Sequence, residues 1–184
     1  MDDHVELRAM AEADLPFVER LRTDPDLAGP FLWDGWRDPR RFRRRWEQDG
    51  WLGADTATLV VTADTDPIGV VSYRRITMAG VAWCWSIGIS LMPEARGRGI
   101  GARAQRTLVE YLFVYTLAHR VQAETDVDNI AEQRALEKAG FTREGVIRGY
   151  AFLGGGYRDE VLYSVLRHEM PPGGNTFPPP GVTV

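Results

Sequence analysis

A single cysteine, Cys84, is all the thiol in this 184-residue chain. That excludes an intrachain disulfide framework and leaves too little sulfur for a thiolate metal site. No apolar run approaches the roughly 20 residues needed to cross a bilayer. Positive charge is not in excess either. The 22 Lys and Arg stand against 26 Asp and Glu, a formal net charge of -4, which argues against a dedicated nucleic-acid binder. The opening residues Met1-Asp2-Asp3-His4 have neither the basic nor the apolar region of a signal peptide. Core-forming residues are not scarce: the chain is 44% hydrophobic and 26% charged, so neither a disordered nor a fibrous reading is needed. The expectation is a cytoplasmic enzyme or binding domain, with no metal, nucleic-acid or membrane partner and one sizeable core.

Periodicity predicts a strand over 5–10, then a helix through Leu15, Phe17, Val18 and Leu21, and a loop over 29–36. Asp38-Pro39 is a helix start, Asp38 capping and Pro39 in the first turn, with the helix running to about 48. Strands follow over 57–62 and 67–76, joined by a turn at 63–66, and then over 81–91. Glycines at 97–101 punctuate the chain before a long helix to about 118. A short strand over 120–125, a helix from Asp128-Asn129 to Gly140, and an antiparallel pair over 142–147 and 158–166 complete it. The segment 171–184 is rich in Pro and Gly and reads as a tail on a domain of residues 1–170. This order describes a mixed α/β domain with a central sheet, not a regular doubly wound repeat.

The informative stretch is Leu91-Met92-Pro93-Glu94-Ala95-Arg96-Gly97-Arg98-Gly99-Ile100-Gly101. A strand enters, a helix leaves, and three glycines sit between. Glycine admits positive φ and lets a ligand approach the main chain. The first amides of the new helix have no internal partner and carry the positive end of its dipole, so they suit an anion. Arg96 and Arg98 add charge, and the physics predicts a phosphate or diphosphate cradle. A P-loop would end in Gly-Lys-Ser/Thr, which is absent. A dinucleotide fingerprint fits Gly97-x-Gly99-x-x-Ala102 with Glu124 further on. Against it, Pro93 to Arg96 separate strand from glycine, and the flanks lack consecutive βα units. A glycine-rich connection without a ligand is the bland alternative.

Arg96-x-x-Gly99-x-Gly101 resembles the acetyl-CoA loop of the GNAT (Gcn5-related) N-acetyltransferases. Asn129-Ile130-Ala131-Glu132-Gln133-Arg134-Ala135-Leu136-Glu137-Lys138-Ala139-Gly140-Phe141 looks like that superfamily's second coenzyme segment. The ending Tyr157-Arg158-Asp159-Glu160-Val161-Leu162-Tyr163-Ser164 resembles its RimJ/RimL branch. The resemblance implies a central, mostly antiparallel twisted sheet flanked by helices, with a splayed parallel strand pair where acetyl-CoA lies. It implies that Ile89, Ser90 and Leu91 pair with the pantetheine amides. Arg96, Gly97, Arg98, Gly99, Ile100, Gly101 and Ala102 would hold the diphosphate, and Asn129 would bond near the pantetheine arm.

The implied chemistry is attack of a neutral amine on the thioester, which needs a base for the ammonium proton and a donor for the departing sulfur. Glu124 is the first candidate base, since alternation puts Gln122 and Glu124 on one strand face; an ordinary polar-face glutamate is the other reading. Many superfamily members carry a tyrosine acid where this chain has Leu136, and the branch often has a serine where it has Glu132. Glu132 is therefore either a donor, provided it is protonated, or a solvated residue in a first helical turn.

On the acceptor side the resemblance points to the early loop, second helix and closing hairpin, hence to Trp33, Trp36 and Tyr150. Arg37, Arg40, Arg41, Arg43, Arg44 and Arg45 either face an acidic acceptor or form a solvated face. The resemblance leaves three functions in view. The first is a small-molecule amine acetyltransferase, the second a protein N-terminal (ribosomal-protein-type) acetyltransferase, and the third a catalytically silent acyl-CoA-binding module. A homodimer is compatible with each.

Overall fold

Strand alternation decides where the core lies. A computed structural model describes residues 4–170, so the tail expected over 171–184 lies outside the described residues. In chain order the elements are β1 (Val5–Ala9), α1 (Leu15–Thr23), α2 (Pro25–Ala28), α3 (Arg40–Asp49), β2 (Thr56–Ala63), β3 (Asp66–Thr77) and β4 (Trp83–Leu91). Then come α4 (Ile100–Tyr115), β5 (Arg120–Asp126), α5 (Ile130–Ala139), β6 (Thr142–Leu153) and β7 (Gly156–Leu166). The seven strands form one sheet in the order β1-β2-β3-β4-β5-β7-β6. Every pairing is antiparallel except β4 with β5.

On one face Leu59, Val61, Val71, Trp85, Val121, Ala123, Val161, Tyr163 and Val165 meet α4 and α5. Helix α4 supplies Ile100, Ala104, Leu108 and Leu112, spaced four apart on one stripe, and each is wholly buried. Full burial of such an aliphatic side chain contributes about 1.5–3 kcal/mol, so this stripe anchors the helix that follows the glycine turn. On the other face Val60 and Val70 pack with Leu15, Val18 and Leu21 of α1 and Phe42 of α3. That second layer covers only the β1–β3 end of the sheet, and the middle of the same face stays open.

Three expectations need correction. The strand expected from Val81 begins at Trp83. Met78 N donates to Ala82 O and Ala82 N to Ala79 O, so a closed turn leaves Val81 fully exposed at its tip. The long helix stops at Tyr115, not near 118. The Arg167 guanidinium binds the carbonyls of Phe113, Thr116 and Ala118, filling the role a C-terminal glycine would otherwise play; Leu117 is left 94% exposed. The third is α2, which was not expected: Asp24 Oδ1 accepts from the amides of Asp26 and Leu27 and opens one helical turn at Pro25.

The arginines of α3 form a solvated face that is largely neutralised in place. Arg43 pairs with Glu12, Arg40 and Arg44 with Asp38, Arg45 with Asp49, and Arg37 with Asp34 in the loop before the helix. Pro39, not Asp38 as expected, is the N-cap residue of α3; Asp38 before it accepts from Arg40 N at 3.0 Å.

Candidate active site

Pairing between β4 and β5 joins Trp85 to Val121 and Ser86 to Gln122 and extends no further. Beyond it the strands splay, and the stretch Ile87 to Leu91 keeps its β3 partners while losing those on the β5 side. Ile89, Ser90 and Leu91 therefore line the open side of a V. Ser90 is buried, and its Oγ has no hydrogen-bond partner among the described residues. A buried hydroxyl left unpaired is costly, so this atom marks a place where a polar ligand group fits.

The V opens toward the glycine turn. Gly97 and Gly99 have φ of 75° and 77°, a left-handed conformation that side-chain-bearing residues rarely adopt. A Cβ at either would meet nothing within 4 Å, so their outer side is open. Arg103 N donates to Gly99 O and starts the α4 ladder. The amides of Gly97, Gly99, Ile100, Gly101 and Ala102 have no partner among the described residues. Five unpaired donors at the positive end of a 16-residue helix are the local chemistry of an anion site. Arg98 bends back, Nη1 to Glu94 O at 3.5 Å. Arg96 is placed differently from its neighbours: Nε donates to Leu91 O at 3.0 Å and Nη2 to Leu27 O. Asn129 caps α5, its Oδ1 accepting from Glu132 N at 3.3 Å, so the group it can offer a ligand is Nδ2.

Glu124 and Glu132 stand on different elements. Glu124 faces away from α4 and α5, as the alternation Val121, Ala123, Thr125 into the core requires. Its side chain is only 7% exposed. Ser86 Oγ donates to Oε2 at 2.9 Å, Gln122 Nε2 to Oε1 at 2.7 Å, and the Arg74 guanidinium stands 3.9 Å away. Glu124, Ser86 and Arg74 belong to a cleft of about 320 Å³, lined also by Ser72, Tyr150 and Glu160 among others. Glu160 is opposite Asp126 across the β5–β7 ladder. Burial, with the charges of Glu124 and Asp126, raises its carboxyl above the usual range.

Glu132 lies in the first turn of α5, where a helix dipole ordinarily favours ionisation. Burial nonetheless pushes its carboxyl up to about 7, against a hydrogen bond from Gln105 that favours the charged form. Glu132 itself is half-buried in that turn. Tyr150 lines the cleft, whereas Trp33 and Trp36 form an edge-to-face pair outside it, ring centroids 5.2 Å apart and Trp36 83% exposed.

Sequence reasoning missed Ser86, Arg74 and Glu160. The signal for Ser86 was present: along β4 it alternates with the core residues Trp85 and Ile87. Glu160 became visible only once β7 was seen to lie beside β5. Among the described residues no group of three or more His, Cys, Asp or Glu is placed to hold a metal ion.

Comparison with known proteins fits this geometry. Residues 4–142 match the family model described as an acetyltransferase (GNAT) domain. A probable N-acetyltransferase, YjcK of Bacillus subtilis (strain 168), is 33% identical over 108 residues, spanning 58% of this chain and 59% of that protein. The ribosomal protein uS5-alanine N-acetyltransferase of Escherichia coli (strain K12) is 26% identical, over 58% of this chain and 54% of its own length. This chain thus spans less than two thirds of either relative. In fold it is similar to the crystal structure of spermidine N-acetyltransferase from Vibrio cholerae in complex with CoA and spermine. That likeness has a TM-score of 0.78 at 20% identity and covers 90% of this chain and 96% of that one.

Proposed function

The chain belongs to the GNAT acetyltransferase family, and on that footing we propose that it uses acetyl-CoA to acetylate the primary amine of a small molecule. The observation that carries the coenzyme half is the set of amides of Gly97, Gly99, Ile100, Gly101 and Ala102, which have no partner among the described residues. They suit a diphosphate, each charge-assisted bond contributing about 1.5–3 kcal/mol. The unpaired Ser90 Oγ and the free side of Ile89 to Leu91 suit a chain carrying amides between diphosphate and thioester. Asn129 Nδ2 is a further donor toward that arm.

The acceptor half rests on the cleft around Glu124. About 320 Å³ is the volume of a small-molecule pocket. Its carboxylates, Glu124 and Glu160 beside Asp126, favour a cationic amine over an acid, with Arg74 as the one opposing charge in the lining. The seated Glu124 carboxylate takes a proton from the ammonium and leaves a neutral nitrogen. The thioester supplies the acetyl group and the sulfur leaving group. As the new C–N bond forms and the C–S bond breaks, protonated Glu132 gives its proton to the departing sulfur and becomes the carboxylate, while the second proton of the nitrogen passes to water and leaves the neutral amide. Ser86 and Gln122 hold Glu124 in register throughout. Tyr150 borders the amine's pocket.

Thiol release from acetyl-CoA, measured across a panel of small amines and short N-terminal peptides, tests this reading. Turnover with small cationic amines and loss of turnover in Glu124→Gln are expected. A clear preference for peptides would shift the acceptor to a protein terminus. Coenzyme binding without turnover on any amine would indicate a silent binding module.

A further inference from the structure

We propose that Arg96 is a positioning residue: its guanidinium ties the loop carrying Trp33 and Trp36 to the end of β4, so that coenzyme bound at the glycine turn orders that loop. This rests on the coenzyme reading above. It departs from the diphosphate role that the sequence motif implies for Arg96.

The side chain bridges two parts of the site. Nε donates to Leu91 O, the last residue of the strand lining the V, at 3.0 Å. Nη2 donates to Leu27 O in the single turn of α2. Leu27 O belongs to the last turn of that helix, where carbonyls lack intrahelical donors. The chain then turns at Gly29, with φ of 73°, and a Cβ there would lie 3.6 Å from Arg96 Nη1. Gly29 O in turn accepts from Leu32 N at 3.4 Å and Trp33 N at 3.2 Å. A continuous chain of contacts thus runs from β4 through Arg96 and Gly29 to the aromatic pair.

The same guanidinium directly precedes the Gly97–Gly99 turn, and Arg96 N is already bonded to Pro93 O. Its contacts are exposed to water, where a competing solvent weakens each of them. A coenzyme seated on the neighbouring amides withdraws them from solvent and strengthens both.

Hydrogen exchange of residues 29–38, with and without coenzyme A, reads this out in the absence of any acceptor. In the unaltered protein coenzyme A should slow exchange there. In Arg96→Leu the loop should exchange roughly fivefold faster and ignore coenzyme A, with β2–β3 protection unchanged. The Kd for coenzyme A should stay within about threefold. Arg96→Lys keeps the charge but cannot span two carbonyls, so it should behave like Arg96→Leu, and it serves if the leucine variant folds poorly. Loop exchange unaffected by either substitution overturns the proposal. So does a large loss of coenzyme affinity in Arg96→Leu restored in Arg96→Lys, which makes Arg96 a diphosphate ligand. Failure of the unaltered protein to bind coenzyme A refutes the underlying reading instead.

Discussion

Replacing Glu132 by Gln tests the enclosed carboxyl on two axes at once. A carboxyl held at about 7 instead of its ordinary 4.5 disfavours ionisation in the folded state. At about 1.4 kcal/mol per pKa unit the penalty is about 3.5 kcal/mol, an upper figure for a half-buried residue. The sign follows from linkage. Below about 4.5 both folded and unfolded chains hold the proton, and the group contributes its full stabilising effect. Between about 4.5 and 7 the unfolded chain releases the proton while the folded one keeps it, so stability falls as pH rises, and above 7 the loss is complete. Glutamine stays neutral, so Glu132→Gln should gain on the unaltered protein by up to about 3.5 kcal/mol between pH 4.5 and 8, measured by urea unfolding at each pH. The same variant cannot donate the proton to sulfur. Its kcat should fall on the order of 10²-fold, and the decline of kcat above neutral pH should flatten. A stability difference independent of pH, with kcat unchanged, would refute both the enclosure and the donor role.

Glu124→Gln should lower kcat by about 10²-fold or more with little change in coenzyme affinity, as steady-state kinetics and calorimetry would show. Glu144 is held down to about 2, first by the Arg120 guanidinium at 2.6 and 2.7 Å, with further help from Ser164. A lowered carboxyl stabilises the fold above its ordinary value and loses that effect as pH falls toward 2. Because Glu144 is partly exposed, Glu144→Gln should cost only about 1 kcal/mol at pH 7. The cost should shrink below about pH 4.5 in the same unfolding series.

The sheet was legible because its signals are local. Alternation along 120–125, the apolar run within 57–62, the Asp38-Pro39 start and the Gly140 stop each announce themselves within a few residues. The diphosphate turn was legible for the same reason, since strand, glycines and helix are contiguous. What the sequence hid depends on residues far apart in the chain. The end of α4 is set by Arg167, some fifty positions on, so leucine periodicity alone extended the helix through Leu117. The company of Glu124 comes from Ser86 on β4 and from Arg74 on β3, and no spacing rule foretells which strand faces supply it. Arg96 shows the opposite case: a local motif named its residue type, while Leu27, distant in sequence, decides what its guanidinium touches.

Calorimetric titration with coenzyme A, on the unaltered protein and on Gly99→Glu, probes the cradle itself. Gly99 has a φ of 77°, and its outer side opens where the unpaired amides lie, so a glutamate there adds negative charge where the diphosphate binds. The account predicts micromolar binding to the unaltered protein and a loss of about 100-fold or more in Gly99→Glu, whose circular dichroism stays native. Gly99→Asn, which tolerates the left-handed conformation, should lose far less. No binding to the unaltered protein, or undiminished affinity in Gly99→Glu, would contradict it.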